Sequence, residues 1–266
     1  MIGVMDSGVG GLSVWKELIE ELPNERYLYV ADSGYCPYGP REKSYIVERC
    51  RKISQFLIDK GADIIVVACN TATAAAIEAL REGYDIPFVG MEPAIKPAAL
   101  DSKSGVIAVL ATEGTFRGRL YMNTLKRFAS RVRVIQTVGA GLVELVEKME
   151  WNTPQAETLL RKYIEPVMAA GADHLVLGCT HYPFLIETIE RIVRGRSIIV
   201  NPAPAVARRV GNVIKEVTCQ NIYNNEYDLF CTTGENSATL SLIVEQILQK
   251  SRRGSDRKYD CVKIKL

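Results

Sequence analysis

The stretch 61-GADIIVVACNTAT-73 carries a short apolar run, Ile64–Ala68, that stops at a thiol, Cys69. Farther along, 171-GADHLVLGCTH-181 repeats it, with Gly, Ala, Asp, one Val and the Cys identical. Each run has strand length, is rich in branched apolar residues and ends in polar residues that favour a helix start. A strand feeding a helix, used twice, predicts βα units and parallel sheets.

Outward from these two copies the alternation continues. Apolar runs at Ile2–Met5, Tyr27–Ala31, Pro87–Gly90, Val106–Leu110, Val132–Val138, Leu175–Leu177, Ser197–Val200 and Tyr227–Cys231 read as strands. Helix-period segments lie between them: Leu12–Leu22, Tyr45–Lys60, Thr73–Arg81, Pro93–Leu100, Phe116–Phe128, Leu142–Met149, Pro154–Ala170, Leu185–Val193, Ala203–Val217 and Ser237–Gln249. A polar break at Asp101–Ser104 divides the series. Val4–Ser7 (VMDS) precedes Cys69 much as Val109–Thr112 (VLAT) precedes Cys179. The expected fold is α/β: two pseudo-symmetric, doubly wound, mainly parallel-sheet domains, with a further boundary at Pro202 and Pro204.

The 266 residues are 47% hydrophobic and 24% charged, with a formal charge of +2. That balance suits a globular chain and argues against nucleic acid or an anionic membrane as partner. No apolar stretch approaches a membrane span, and MIGVMD shows no basic leader, so a cytoplasmic location is expected. Seven irregularly spaced cysteines, Cys36, Cys50, Cys69, Cys179, Cys219, Cys231 and Cys261, read as reduced thiols. With only two histidines, His174 and His181, no metal site is expected. The basic run Lys250–Lys258 reads as a solvated tail.

In open α/β sheets ligands bind beyond the carboxyl ends of the strands, which is where Cys69 and Cys179 fall. A single buried cysteine is ordinarily a small hydrophobe. Two at repeated positions, each before a predicted helix whose dipole favours the thiolate, suit chemistry instead. Opposed thiols fit racemisation: one thiolate takes an α-proton from one face and the other thiol returns a proton to the opposite face. Asp6 can orient or deprotonate a thiol, or simply cap a turn. His181, two residues past Cys179, can assist the second thiol; His174, within a strand, reads as structural. The glycines Gly8, Gly10 and Gly11 lack the spacing and lysine of a phosphate loop. Hydroxyls at the strand ends, Ser7, Thr71, Thr112, Thr115 and Thr180, can hold carboxylates or cap helices. Tyr38, between Pro37 and Gly39, reads as a ring presented by a rigid turn. Glu147 fits either a solvated helix face or a contact to a substrate ammonium.

The motifs MDSGVGGLSV, ADSGYCPYG, VVACNTAT, GMEPAIKPA and LVLGCTHYP resemble those of the glutamate racemase family, part of the aspartate/glutamate racemases, from Ile2 to about Val210. The resemblance implies a cofactor-independent homodimer that interconverts L- and D-glutamate, supplying D-glutamate for peptidoglycan. It implies Cys69 and Cys179 as the acid/base pair with Asp6 and His181 as helpers. Substrate contacts would fall on both thiols, Asp6, Ser7, Pro37, Tyr38, Gly39, Asn70, Thr71, Thr180 and His181, and by a looser match on Thr112, Thr115 and Glu147. It further implies that the chain after about Pro204 rejoins the first domain, giving 1–94 plus 205–266 and 95–204, with the active site in the cleft between. A racemase of aspartate or a similar acid, and a non-catalytic amino-acid-binding relative, are the alternatives. ATEGTFRGRLY is less typical of the family near Arg117–Arg119, and CTTGENS carries no assignable motif.

Overall fold

The computed structural model describes residues 1–92, 94–128, 130–216, 227–235, 237–253 and 256–266. Pro93 and Val217, expected as helix ends, and Cys219 lie outside them. The chain runs β1 (Ile2–Asp6), α1 (Leu12–Glu21), β2 (Tyr27–Ala31), α2 (Lys43–Asp59), β3 (Ile64–Val67), α3 (Asn70–Gly83), β4 (Phe88–Gly90) and α4 (Ile95–Asp101). It continues through β5 (Val106–Ala111), α5 (Glu113–Phe116), α6 (Arg119–Phe128), β6 (Arg133–Val138), α7 (Leu142–Glu147), α8 (Pro154–Ala169), β7 (His174–Gly178), α9 (Ile186–Val193) and β8 (Ile198–Val200). It closes with α10 (Ala203–Ile214), β9 (Asp228–Thr232), α11 (Ser237–Lys250) and β10 (Tyr259–Lys263).

Two parallel sheets result, one ordered β10-β9-β2-β1-β3-β4 and the other β6-β5-β7-β8. The order β2-β1-β3-β4 is repeated strand for strand by β6-β5-β7-β8, so the sequence repeat is a repeat of topology and the fold has two domains. β1 and β3 are buried along their whole length, which explains their unbroken apolar runs. One continuous apolar cluster joins Trp15, Tyr29 and Phe230 in the first half to Leu177, Tyr182 and Ile189 in the second. Trp15 meets Phe230 edge-on at 4.9 Å; burying a side chain such as Phe230 contributes roughly 1.5–3 kcal/mol.

The segment expected as one helix, 116–128, breaks into α5 and α6 at Gly118. A Cβ there would lie 2.5 Å from the Ala74 Cβ, so glycine permits close approach to α3 at the expense of helix continuity. The presumed basic tail is also corrected, because the chain beyond it forms β10, parallel to β9. Arg257 bonds Asp228 at 2.6 Å and lies over the Tyr27 ring, so this arginine is half-buried rather than solvated. Among the described residues no helix is long and apolar enough to cross a membrane.

Candidate active site

The parallel register brings equivalent strand ends together. Met5 pairs with Val67, so Asp6 and Ser7 emerge beside Cys69; Ala111 pairs with Gly178, so Thr112 emerges beside Cys179. Both thiols are buried, at 5% and 7% exposure. Cys69 is the N-cap of α3, its Sγ accepting from the Ala72 N–H at 3.4 Å and donating to the Ser7 hydroxyl at 3.6 Å.

The expected depression of this thiol by the helix terminus is reversed. Burial pushes Cys69 up to about 12, and the negative charges of Asp6 and then Cys179 add to it, outweighing the Ala72 N–H and Ser7. Ser7, hydrogen-bonded to Cys69, follows Asp6, and Thr180, hydrogen-bonded to Asp6, follows Cys179, so the two thiols share one neighbourhood. Asp6 does not hydrogen-bond the Cys69 thiol; it acts through its field. Its carboxylate accepts from the Gly8 N–H at 2.9 Å and from the Thr180 hydroxyl at 3.0 Å. Burial raises the Asp6 pKa, while His181 and these two donors oppose the rise.

Cys179 is followed by a short turn rather than directly by a helix, and its Sγ lies 3.8 Å from His181 Nδ1. The other ring nitrogen, Nε2, lies 2.7 Å from Glu147 Oε1. Burial disfavours charge on this imidazole, but the hydrogen bonds to Cys179, Cys36 and Glu147 prevail and raise it well above its ordinary value. Glu147 also accepts from the Val9 N–H at 2.8 Å and from Ser33 at 3.3 Å. It therefore spans the two halves of the site.

These contacts account for the glycine-rich motif. A Cβ at Gly8 would stand 1.9 Å from a Glu147 carboxylate oxygen, and one at Gly10 would stand 2.3 Å from His181 Nδ1. The glycines are sockets for side chains of the other domain, consistent with the absence of a phosphate-loop pattern.

The remaining expected residues divide into two groups. Thr71, Thr112 and Thr115 form a hydroxyl cluster across the cleft, with Oγ1 separations of 2.8 Å (Thr71–Thr112), 2.9 Å (Thr112–Thr115) and 3.5 Å (Thr71–Thr115). Gly39 packs on Thr112, its position for a Cβ 3.3 Å from the threonine's Cβ. The side-chain nitrogen of Asn70 is buried with no partner among the described residues, a donor available to a ligand oxygen. Pro37 is half-buried on the same loop. Tyr38 presents no ring: it is 1% exposed, packs in the cluster that contains Cys69, and donates its hydroxyl to Asp32. His174 is structural as expected, held between Asp173 at 2.8 Å and Asp101 at 3.1 Å.

Three supporting residues had not been singled out. Buried Asp32 receives Arg49 Nε at 2.9 Å and Nη2 at 2.7 Å, together with the Tyr38 and Thr233 hydroxyls. Ser13 donates to the Thr180 carbonyl at 2.8 Å, and Tyr29 donates to the Gly8 carbonyl at 2.8 Å. The signal for Asp32 was present, since Asp-Ser-Gly occurs at the ends of both β1 and β2. The one group of metal-ligating type among the described residues is Cys36, Glu147 and His181, whose donor atoms all lie within 4.8 Å of one another.

Comparison with known proteins points the same way. The family model described as Asp/Glu/Hydantoin racemase matches residues 2–210. The chain is 50% identical over 214 residues to a glutamate racemase of Ectopseudomonas mendocina, covering 80% of this chain and 81% of that one. It superposes on the glutamate racemase isoform RacE1 of Bacillus anthracis with a TM-score of 0.84 and 31% identity, covering 100% of this chain and 97% of that one. A glutamate racemase of Escherichia coli, solved with L-glutamate and the activator UDP-MurNAc-ala, matches with a TM-score of 0.86 and 30% identity, covering 98% and 96%.

Proposed function

The chain belongs to the Asp/Glu/hydantoin racemase family, and from that premise we propose that it racemises glutamate with Cys69 and Cys179 as the opposed acid and base. The observation that carries the reading is the placement of two buried thiols at equivalent strand ends of a duplicated fold, each with a different helper. In one direction a thiolate removes the α-proton and the opposite thiol donates one; in the other direction the roles exchange. The closed, water-poor site strengthens each charge interaction with the developing carbanion.

The helpers are not symmetric. Aligning VMDS with VLAT sets Asp6 against Ala111, and aligning CNT with CTH sets Thr71 against His181. Cys69 is served by the carboxylate at the end of the neighbouring strand β1 and Cys179 by an imidazole of its own loop. Glu147 orients that imidazole. The Asn70 amide and the threonine cluster take the substrate carboxylates, and the loop 37–39 walls the cleft, with Tyr38 acting through Asp32.

Glutamate is favoured over aspartate because the 50%-identical relatives are glutamate racemases. The product D-glutamate would serve peptidoglycan synthesis. The same reading takes 1–94 with 205–266, and 95–204, as the two domains. It also takes the protein as a cytoplasmic homodimer, consistent with six free thiols among the described residues. Incubation of either glutamate enantiomer in deuterated water without added cofactor tests the activity: loss of optical rotation with deuterium at the α-carbon is expected. Failure of both enantiomers to exchange refutes it, and exchange of aspartate alone establishes the alternative substrate.

A further inference from the structure

Three segments distant in sequence converge beside the second thiol: the loop after β2 brings Cys36, the end of α7 brings Glu147, and the turn after β7 brings His181. A thiol, an imidazole and a carboxylate form a donor set that zinc(II) and its neighbours favour over magnesium or calcium. Around zinc, with bonds of about 2.0–2.3 Å, tetrahedral donors stand roughly 3.3–3.7 Å apart. The present donors lie within 4.8 Å of one another, with His181 Nε2 and Glu147 Oε1 at 2.7 Å, so seating an ion opens that pair by roughly 0.6 Å and draws the thiol in by at most about 1.3 Å. Cys36 and Glu147 are half-exposed, leaving an approach from the cleft, while His181 is fixed in the interior at 1% exposure. Glu147 Oε1, which faces His181, also accepts from the Val9 N–H at 2.8 Å, a backbone contact of the kind that orients metal ligands. The fourth coordination position falls to water.

We propose that Cys36, Glu147 and His181 form an inhibitory site for a divalent cation of the zinc class, which switches racemisation off by engaging the imidazole that serves Cys179. Binding releases the Cys36 thiol proton and the proton shared between His181 and Glu147, and it forms metal–sulfur, metal–nitrogen and metal–oxygen bonds. Neither thiol of the reacting pair is consumed, so removal of the metal restores activity. The inhibitory half of the proposal rests on His181 assisting Cys179; the binding half stands on the three donors alone.

The test uses full-length protein stripped with EDTA and titrated with cobalt(II). One equivalent is expected to produce a thiolate-to-cobalt charge-transfer absorption that zinc displaces, and racemisation is expected to fall in proportion to bound metal and return with EDTA. Cys36→Ser is expected to lose the absorption, to bind zinc at least about 100-fold more weakly, and to resist zinc relative to its own metal-free rate. Cys69→Ser and Cys179→Ser, both expected to keep the absorption, exclude the reacting thiols as its source, and loss of the absorption in Cys179→Ser overturns the assignment to Cys36. Absence of binding in the unsubstituted protein, or an undiminished absorption in Cys36→Ser, overturns the site. Binding through Cys36 with no loss of racemisation overturns the inhibition and locates the error in the role given to His181.

Discussion

Replacing Gly10 by alanine isolates the role of His181 without touching any reacting atom. The added Cβ would lie 2.3 Å from Nδ1, 2.5 Å from Cε1 and 2.7 Å from Cγ of the ring, where ordinary contact is 3.4–4 Å. The backbone of Gly10 does not lie in the left-handed region, so the effect is one of space and not of strain. The imidazole must recede by about 1 Å, against a 2.7 Å bond to Glu147 and full burial. Misplacement of a catalytic group by about 1 Å costs roughly 100-fold, or about 2.7 kcal/mol of transition-state stabilisation. Because the equilibrium constant between enantiomers is one, kcat/KM must fall by the same factor in both directions. In deuterated water, solvent deuterium is expected to enter one enantiomer without inversion, the one whose proton the undisturbed Cys69 removes. Gly83→Ala, where an added Cβ meets nothing within 4 Å, is the matched control and should leave the rate alone. Circular dichroism and thermal melting establish that Gly10→Ala is folded. A folded Gly10→Ala protein that racemises within about twofold of the parent would show that His181 need not stand where it does, and the reasoning would fail.

Serine at Cys69 or at Cys179 should lower racemisation by roughly 100- to 10,000-fold with the fold retained, and near-parental turnover in either variant would remove the two-thiol mechanism. Arg49→Ala strands Asp32, which is 0% exposed, and should cost about 3–5 kcal/mol in denaturant unfolding; a loss under about 1 kcal/mol would show that the pair is not holding the Tyr38 loop. Stability should also depend on alkaline pH. Burial holds Cys69 and Cys231 at about 12 and Cys36 at about 11, above the ordinary 9.0. The folded state thus binds these protons more tightly than the unfolded state. The contribution is complete below about pH 9 and is lost as pH climbs toward 12. Melting temperature measured from pH 8 to 11 should fall, and Cys231→Ala, within β9, should flatten the slope; an unchanged slope would contradict the assignment.

The thiols were readable because Cys69 and Cys179 sit in a repeated eleven-residue string, and strand ends in a parallel sheet converge by topology. The proposed helpers, Asp6 and His181, stand out in nearby motifs, but the direction of the Cys69 shift does not. A helix terminus is visible in sequence, whereas burial and the field of Asp6 arise only when β1 and β3 pair. Tyr38 misled for a similar reason, since a turn flanked by Pro37 and Gly39 does not reveal that Asp32 claims the hydroxyl. Gly8 and Gly10 carried no chemistry of their own; their meaning lies in Glu147 and His181, more than 130 residues away. β10 was hidden by its charges, because a strand at the sheet edge need not be apolar along its length.

The sockets at Gly8 and Gly10 bear on the timing of the reaction. With both thiols buried, glutamate enters only if the halves part, and parting withdraws Glu147 and His181 from the strand that carries Asp6. It also breaks the Thr180–Asp6, Ser13–Thr180 and Val9–Glu147 bonds. At about 1 kcal/mol net apiece these bonds hold the open form near one molecule in a hundred. Admission and armament are therefore mutually exclusive states of one motion. An open cleft leaves each thiol with its own helper but parts the two thiols from each other, and a carbanion can form only after the door behind it has shut.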